Sequence, residues 1–185
     1  MKDVVISDAV KYIGADDRDL DLFESQYIIP NGVSYNSYVI LDEKIAVMDT
    51  IDTRKTDEWK ENLERVLDGR TPDYLVVSHL EPDHAGSVEK LLELNPGLKI
   101  VATGCAISFL KEIVNGEFTA IPVKDNQEMK IGDKTLKFLV VPNLHWPDTM
   151  YTYIEEEQIL VTCDSFGSHY GFHDILVSKV TDREG

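Results

Sequence analysis

Residues 78–87 read SHLEPDHAGS, and four closely spaced side chains in that stretch can bind a metal: His79, Glu81, Asp83 and His84. Histidine is scarce, five in 185 residues, and none precedes position 79, so a pair in one loop is not a by-product of composition. Two imidazoles and two carboxylates this close crowd a single ion but divide naturally between two, His79 with Glu81 and Asp83 with His84. Each ion then needs donors from elsewhere. His145, in VVPNLHWPDTM, and Asp164, in ILVTCDSFGSH, each follow a strand-like apolar run and supply them. A carboxylate can give one oxygen to each ion, which makes Asp164 the bridge of a pair about 3.5–4 Å apart. Pro82 stiffens the loop and Gly86 is read as allowing an unusual backbone angle. Trp146 is read as core rather than as a wall of the site.

Such donors must be held by a rigid base, and the surrounding pattern provides one. Strands are predicted in VVISDAVKYIGA, QYIIP, SYNSYVIL and KIAVMDT. A helix follows in RKTDEWKENLERVL, with Trp59, Leu63, Val66 and Leu67 on one face, Asp52 or Thr53 at its start and Asp68-Gly69 at its end. YLVVS and KIVAT are nearly all-apolar and fit strands buried on both faces. A helix after His84 turns Val88, Leu91 and Leu92 inward and stops at Asn95-Pro96-Gly97. The next carries Ala106, Phe109, Leu110 and Ile113 on its inner stripe and stops at Asn115-Gly116. Two hairpins are then predicted, EMKIGDKTLKFLVV over Gly132-Asp133 and MYTYIEEEQILVT with three glutamates at a solvated tip. The order of strands, helices and strands predicts a layered α/β chain (α+β in some schemes) with mixed sheets, a single domain over residues 1–185. The metal loop sits where a buried strand gives way to a helix, the end of a strand that ligand sites in α/β sheets favour.

Composition narrows the partners. Net charge is −16, from 34 acidic and 18 basic residues, a surface that repels phosphate backbones and anionic lipid. Nucleic acid and membrane are therefore not expected as partners. No apolar run approaches a membrane span and no secretory signal is read at the N-terminus. Cys105 and Cys163 form no C-x-x-C pair, so a reducing, cytoplasmic setting without a disulfide framework is expected.

The H-x-E-x-D-H pattern at His79, Glu81, Asp83 and His84, with HWPDTM at 145–150 and TCDSFGSH at 162–169, resembles the flavodiiron proteins. SYNSYVI and AVMDTID strengthen the resemblance, which covers essentially the whole chain. It implies a metallo-β-lactamase-like αββα sandwich, incomplete at its C-terminus. It also implies that His79, Glu81 and His145 hold one iron, Asp83 and His84 the other, that Asp164 bridges, and that Asp49 supports the loop. A further histidine for the second iron, found in the family beyond the bridging aspartate, has no match before Gly185. His169 and His173 lie too soon after Asp164 and are read as structural or surface residues. The FMN-carrying flavodoxin-like domain is also without a match, so a truncated polypeptide or a divergent short relative is expected.

Glu81 discriminates among activities. Hydrolases of this fold carry a histidine there and bind zinc. An anionic oxygen donor stabilises ferric over ferrous iron, an advantage redox-inert zinc cannot use. The resemblance then implies reduction of O2 to water or of NO to nitrous oxide in an anaerobe's cytoplasm. Two iron ions would be the resident metals, electrons would come through FMN from a rubredoxin-like or flavin donor, and the chain would act as a homodimer. A dinuclear zinc hydrolase and a non-enzymatic oxygen-binding or sensing module are the rival readings.

Overall fold

The apolar runs at 74–78 and 99–103 have no polar alternation, and a strand of that kind must be covered on both faces. The computed structural model, which describes residues 6–171, does this with three layers. The first half of the chain forms β1 (Val10–Tyr12), β2 (Ala15–Asp17), β3 (Leu22–Phe23), β4 (Tyr27–Ile28), β5 (Val33–Tyr35), β6 (Tyr38–Ile40), β7 (Ala46–Met48), α1 (Thr56–Leu67) and β8 (Tyr74–Val76). There follow α2 (Pro82–Ala85), α3 (Val88–Leu94), β9 (Lys99–Thr103), α4 (Gly104–Ile113) and β10 (Thr119–Val123). The last strands are β11 (Glu128–Lys130), β12 (Thr135–Val140), β13 (Met150–Ile154) and β14 (Ile159–Val161).

One sheet has the order β1-β6-β7-β8-β9-β10, antiparallel through β7 and parallel from β7 to β10. The other is the antiparallel β11-β12-β13-β14. Side chains alternate across the central strands. Val47, Leu75, Val77, Ile100 and Ala102 pack with Trp59, Leu91 and Leu110 of the helices. Ala46, Met48, Val76 and Val101 pack instead against Leu136, Phe138, Met150 and Ile154 of the second sheet. Each fully buried aliphatic or aromatic side chain contributes about 1.5–3 kcal/mol, so the interlayer contacts hold the sheets in register. The α/β/β layers match the sandwich expected. Among the described residues no helix covers the outer face of the second sheet, and none is long and apolar enough to cross a membrane.

Several local expectations need correction. The opening strand breaks at Gly14, where a Cβ would lie 2.1 Å from the carbonyl oxygen of Tyr35. QYIIP supplies only Tyr27–Ile28, which pairs with an unforeseen strand, Leu22–Phe23, in a small exposed ribbon. Thr119–Val123 is a parallel strand that the pattern did not single out, and its position at the sheet edge accommodates Pro122. On α4 the buried residues are Ala106, Ile107 and Leu110, while Phe109 and Ile113 are exposed. The glutamate tip is more than a solvated turn. Glu156 accepts from the backbone N–H and hydroxyl of Thr135 at 2.7 and 2.8 Å, and Glu157 pairs with Lys134 at 2.8 Å. His173 lies outside the described residues. Cys105 and Cys163 are free thiols.

Candidate metal centre

The site forms at the carboxyl ends of β7, β8 and β9, and a chain of hydrogen bonds explains its position. The indole N–H of Trp59 donates to Ser37 Oγ at 3.0 Å, and that hydroxyl donates to the carbonyl of Asp49 at 2.9 Å. Asp49 Oδ1 in turn accepts from the backbone N–H of Ser78 at 2.6 Å, directly before His79. The hydroxyl of Thr50 donates to the His84 carbonyl at 2.9 Å, so both ends of the motif loop are pinned to the turn after β7. Met150 N–H donates to the Ser78 carbonyl at 3.0 Å and ties the loop to the second sheet.

Pro82 opens α2 at its first position, where its missing N–H costs nothing. Gly86 has φ −57°, an ordinary helical angle. Its role is therefore proximity, not the unusual angle expected: a Cβ would lie 2.7 Å from the Pro82 carbonyl oxygen and 2.9 Å from the Thr53 nitrogen. Asp49 at 54°, His145 at 80° and Cys163 at 52° are among the ten non-glycine residues with positive φ in the described chain, the others including turn residues such as Asp68 and Asn126. Non-glycine residues held there cluster at functional sites.

All six donor side chains converge. One group brings ligand atoms of His79, Glu81, His145 and Asp164 within 4.8 Å of one another, and another does the same for Asp83, His84 and Asp164. Glu81 Oε2 lies 3.1 Å from His79 Nε2 and 2.8 Å from His145 Nε2. Asp164 divides its oxygens, Oδ2 3.4 Å from His79 Nε2 and Oδ1 2.5 Å from His84 Nε2. His84 Nε2 is also 3.3 Å from Asp83 Oδ2. The turn presenting Asp164 is braced by Gly167 N–H on the Asp164 carbonyl at 3.0 Å and by Tyr151 Oη against Ser165 Oγ at 2.6 Å.

The charges follow from these contacts. Burial opposes ionisation of Asp164, but its hydrogen bond to His84 and the nearby imidazoles hold the carboxyl below the usual carboxylate range. Burial likewise opposes a charged His84, and the neighbouring Cys163, Asp164 and Asp83 overcome it and raise the imidazole well above its ordinary value. Asp83 is raised by burial, and Asp49, wholly enclosed, is pushed up to about 6. Without an ion the donors thus share protons among themselves.

Two contributors, Asp148 and Glu24, had no local signal, and a third, Trp146, is placed differently from its expected core position. Asp148 is buried and its Oδ1 lies 3.5 Å from His79 Nδ1, the ring edge away from the other donors. A carboxylate so placed orients a metal-binding imidazole. Glu24, on the turn between β3 and β4, hydrogen-bonds Glu81 and is raised to about 7 by that contact, burial and the charge of Glu81. Trp146 stands edge-on to His79 with ring centroids 5.2 Å apart and is half-buried rather than core; it lines a neighbouring groove with Leu80, Pro82 and Phe109 instead of the donor-lined cavity. The donors open into a cavity of about 340 Å3 lined also by Phe23, Tyr27 and His169. His169 packs 4.6 Å from the ring of Phe23 and so borders this mouth without joining the donor groups. Sequence composition identified the acids but not their approach, which depends on a loop from far along the chain.

Comparison with known proteins identifies the family. A family model described as ODP family beta lactamase matches residues 33–183. Diflavin flavoprotein A 1 of Synechocystis sp. is 41% identical over 89% of this chain and 29% of its own length. Flavo-diiron protein FprA2 of Clostridium acetobutylicum is 37% identical over 98% of this chain and 46% of its own. The anaerobic nitric oxide reductase flavorubredoxin of Aliivibrio salmonicida is 38% identical over 97% and 36%, respectively. Among solved structures, the flavodiiron protein from Giardia intestinalis has a TM-score of 0.88 at 34% identity, over 94% of this chain and 42% of that one. Rubredoxin oxygen:oxidoreductase from Desulfovibrio gigas has a TM-score of 0.88 at 29% identity, over 93% and 43%. The chain spans less than half the length of each of these proteins. It belongs to the ODP beta-lactamase family, and its relatives there are flavodiiron proteins.

Proposed function

We propose that this chain is the diiron domain of a flavodiiron-type oxidoreductase that reduces O2 to water, NO to nitrous oxide, or both, with electrons relayed through FMN. The observation carrying the reading is the division of the Asp164 oxygens between two donor groups, one of which places Glu81 between two imidazoles. Three imidazoles and three carboxylates make a hard, anionic set that fits iron in both oxidation states. His79, Glu81 and His145 would hold one ion, Asp83 and His84 the other, and Asp164 would bridge.

When bound, the iron pair supplies electrons to the diatomic substrate. The chain's own residues do the remaining work. Asp148 fixes the orientation of the His79 ring, and Asp49 holds the backbone of Ser78 so that His79 and Glu81 keep their spacing. Trp146 packs edge-on against the ring of His79 and backs it. Reduction of either substrate consumes one proton per electron, and the Glu24 carboxyl holds a proton near neutral pH beside Glu81.

The names of the relatives support a rubredoxin-type or flavin electron donor. A homodimer in an anaerobe's cytoplasm completes the proposal. The test is anaerobic reconstitution of metal-free chain with ferrous iron. Two irons per chain are expected, with consumption of O2 or NO under reduced FMN. Retention of zinc with esterase, thioesterase or lactamase turnover would establish the hydrolase instead. Reversible optical change on oxygenation without turnover would establish an oxygen-binding module.

A further inference from the structure

His84 and Cys163 border two cavities. Besides the donor-lined mouth there is a second space of about 240 Å3, reached by Asn36 between β5 and β6, Tyr38 from β6, Asp49 after β7 and Thr162 after β14. Ligand atoms of Asp49, His84 and Cys163 lie within 4.8 Å of one another there. The ring of His84 uses Nε2 toward Asp164 and Asp83, while Nδ1, in a residue only 6% exposed, has no nitrogen or oxygen partner among the described residues and has the Cys163 thiol as its neighbour. Asp49, 3% exposed, commits Oδ1 to the Ser78 N–H, which leaves its second oxygen for another partner. Among the described residues no lysine or arginine lines the cavity. A buried carboxylate and imidazole beside a half-buried thiol present three donor atoms of the kinds a divalent cation takes.

We propose that Asp49, His84 and Cys163 form a mononuclear site for a thiophilic divalent ion, Zn2+, separate from the positions around Asp164 and competing with the second of them for His84. The donor types favour zinc over iron, because the sulfur is soft and the imidazole borderline. Three protein donors and an open fourth position are a zinc arrangement, and small side-chain rotations bring donors this close to the about 2.0–2.3 Å of zinc bonds. On binding, the Cys163 Sγ–H bond breaks, the zinc–sulfur bond forms with the thiolate's electron pair, and the proton leaves to solvent. No oxidant or reductant is needed. The competition for His84 rests on the diiron reading of the neighbouring donors, whereas the zinc site itself does not.

The test uses the full chain stripped of metal and titrated with Co2+ alone as an optical stand-in for zinc. A thiolate-to-cobalt charge-transfer band is expected in the wild type, in Cys105→Ser and in Glu81→Gln, and is lost in Cys163→Ser. Absence of the band in the wild type, or its survival in Cys163→Ser, overturns the proposal. X-ray absorption of the zinc-loaded wild type guards against a variant that does not fold. One sulfur neighbour at about 2.3 Å is expected, and a shell of nitrogen and oxygen alone overturns the site. Neither readout depends on O2 or NO turnover, so failure of this site and failure of the diiron reading are distinguishable.

Discussion

Glu81 stands between His79 and His145, with one carboxylate oxygen within 3.1 Å of each ring. An imidazole at that position would remove an anion from the donor set and offer a third nitrogen in its place. The variant Glu81→His is therefore expected to exchange iron for zinc, raising the zinc-to-iron ratio of protein grown with both metals by roughly tenfold, about 1.4 kcal/mol of preference. Elemental analysis reads the ratio directly, and an unchanged ratio would remove Glu81 as the selector. Protonation at the same residues sets a second expectation, for the metal-free chain. His79 and His84 have folded values raised above 6.5, so their contribution is complete below that value and is lost as pH rises through the raised ones. Asp49 and Glu24, raised to about 6 and about 7, act with the same sign. Asp164 is lowered, and its contribution is lost only as pH falls through its depressed value. Urea midpoints of the stripped chain are thus expected to fall from mildly acidic toward alkaline pH, and a flat or rising profile would contradict these assignments. Binding of metal has the opposite dependence, because the imidazoles must be neutral to donate.

At the scale of elements, the motif loop is held by contact rather than by helix propensity. The short α2 is only four residues long, below what a free helix sustains, and survives because Thr50 and Thr53 pack on its ends. Gly86 is the point of closest approach. Gly86→Ala places a methyl against the backbone of Pro82 and Thr53, which cannot yield as a side-chain tip does. A loss of about 1–3 kcal/mol is expected, read as a lower urea midpoint, together with reduced iron content because His84 shifts with the loop. A variant as stable and as well loaded as the wild type would show that the loop has room to spare. The β3–β4 ribbon is the opposite case. Its strands are two residues each, and it carries Glu24 to the mouth of the site while Phe23 both borders that mouth and packs into the core.

For the whole molecule, a net charge of −16 on 185 residues makes self-repulsion a general load on the folded state. Screening relieves it, so the thermal midpoint of the chain is expected to rise from low to moderate ionic strength. A midpoint that falls with added salt would indicate that attractive surface pairs, such as Lys134 with Glu157, outweigh the repulsion. The layers were legible in the sequence where periodicity is unambiguous. YLVVS and KIVAT are apolar throughout and became central strands, and the α1 stripe of Trp59, Leu63 and Leu67 is buried as its spacing requires. Legibility failed where a residue's environment is set by a distant partner. Phe109 lies on the same helical stripe as Leu110 yet is exposed, because nothing among the described residues covers that side of α4. Thr119–Val123 escaped notice because Pro122 argues against a strand until an edge position excuses it.

The donor inventory belonged to the sequence alone. Rare histidines beside carboxylates in one short loop, with a histidine and an aspartate after later strands, already named the six side chains, because residue type decides what chemistry is available. Tertiary structure alone decided which oxygen of Asp164 faces which imidazole, that Asp148 and Glu24 approach the site, and that a second cavity opens at His84 and Cys163. Those facts depend on distances between segments separated by scores of residues, and only packing of the two sheets sets such distances.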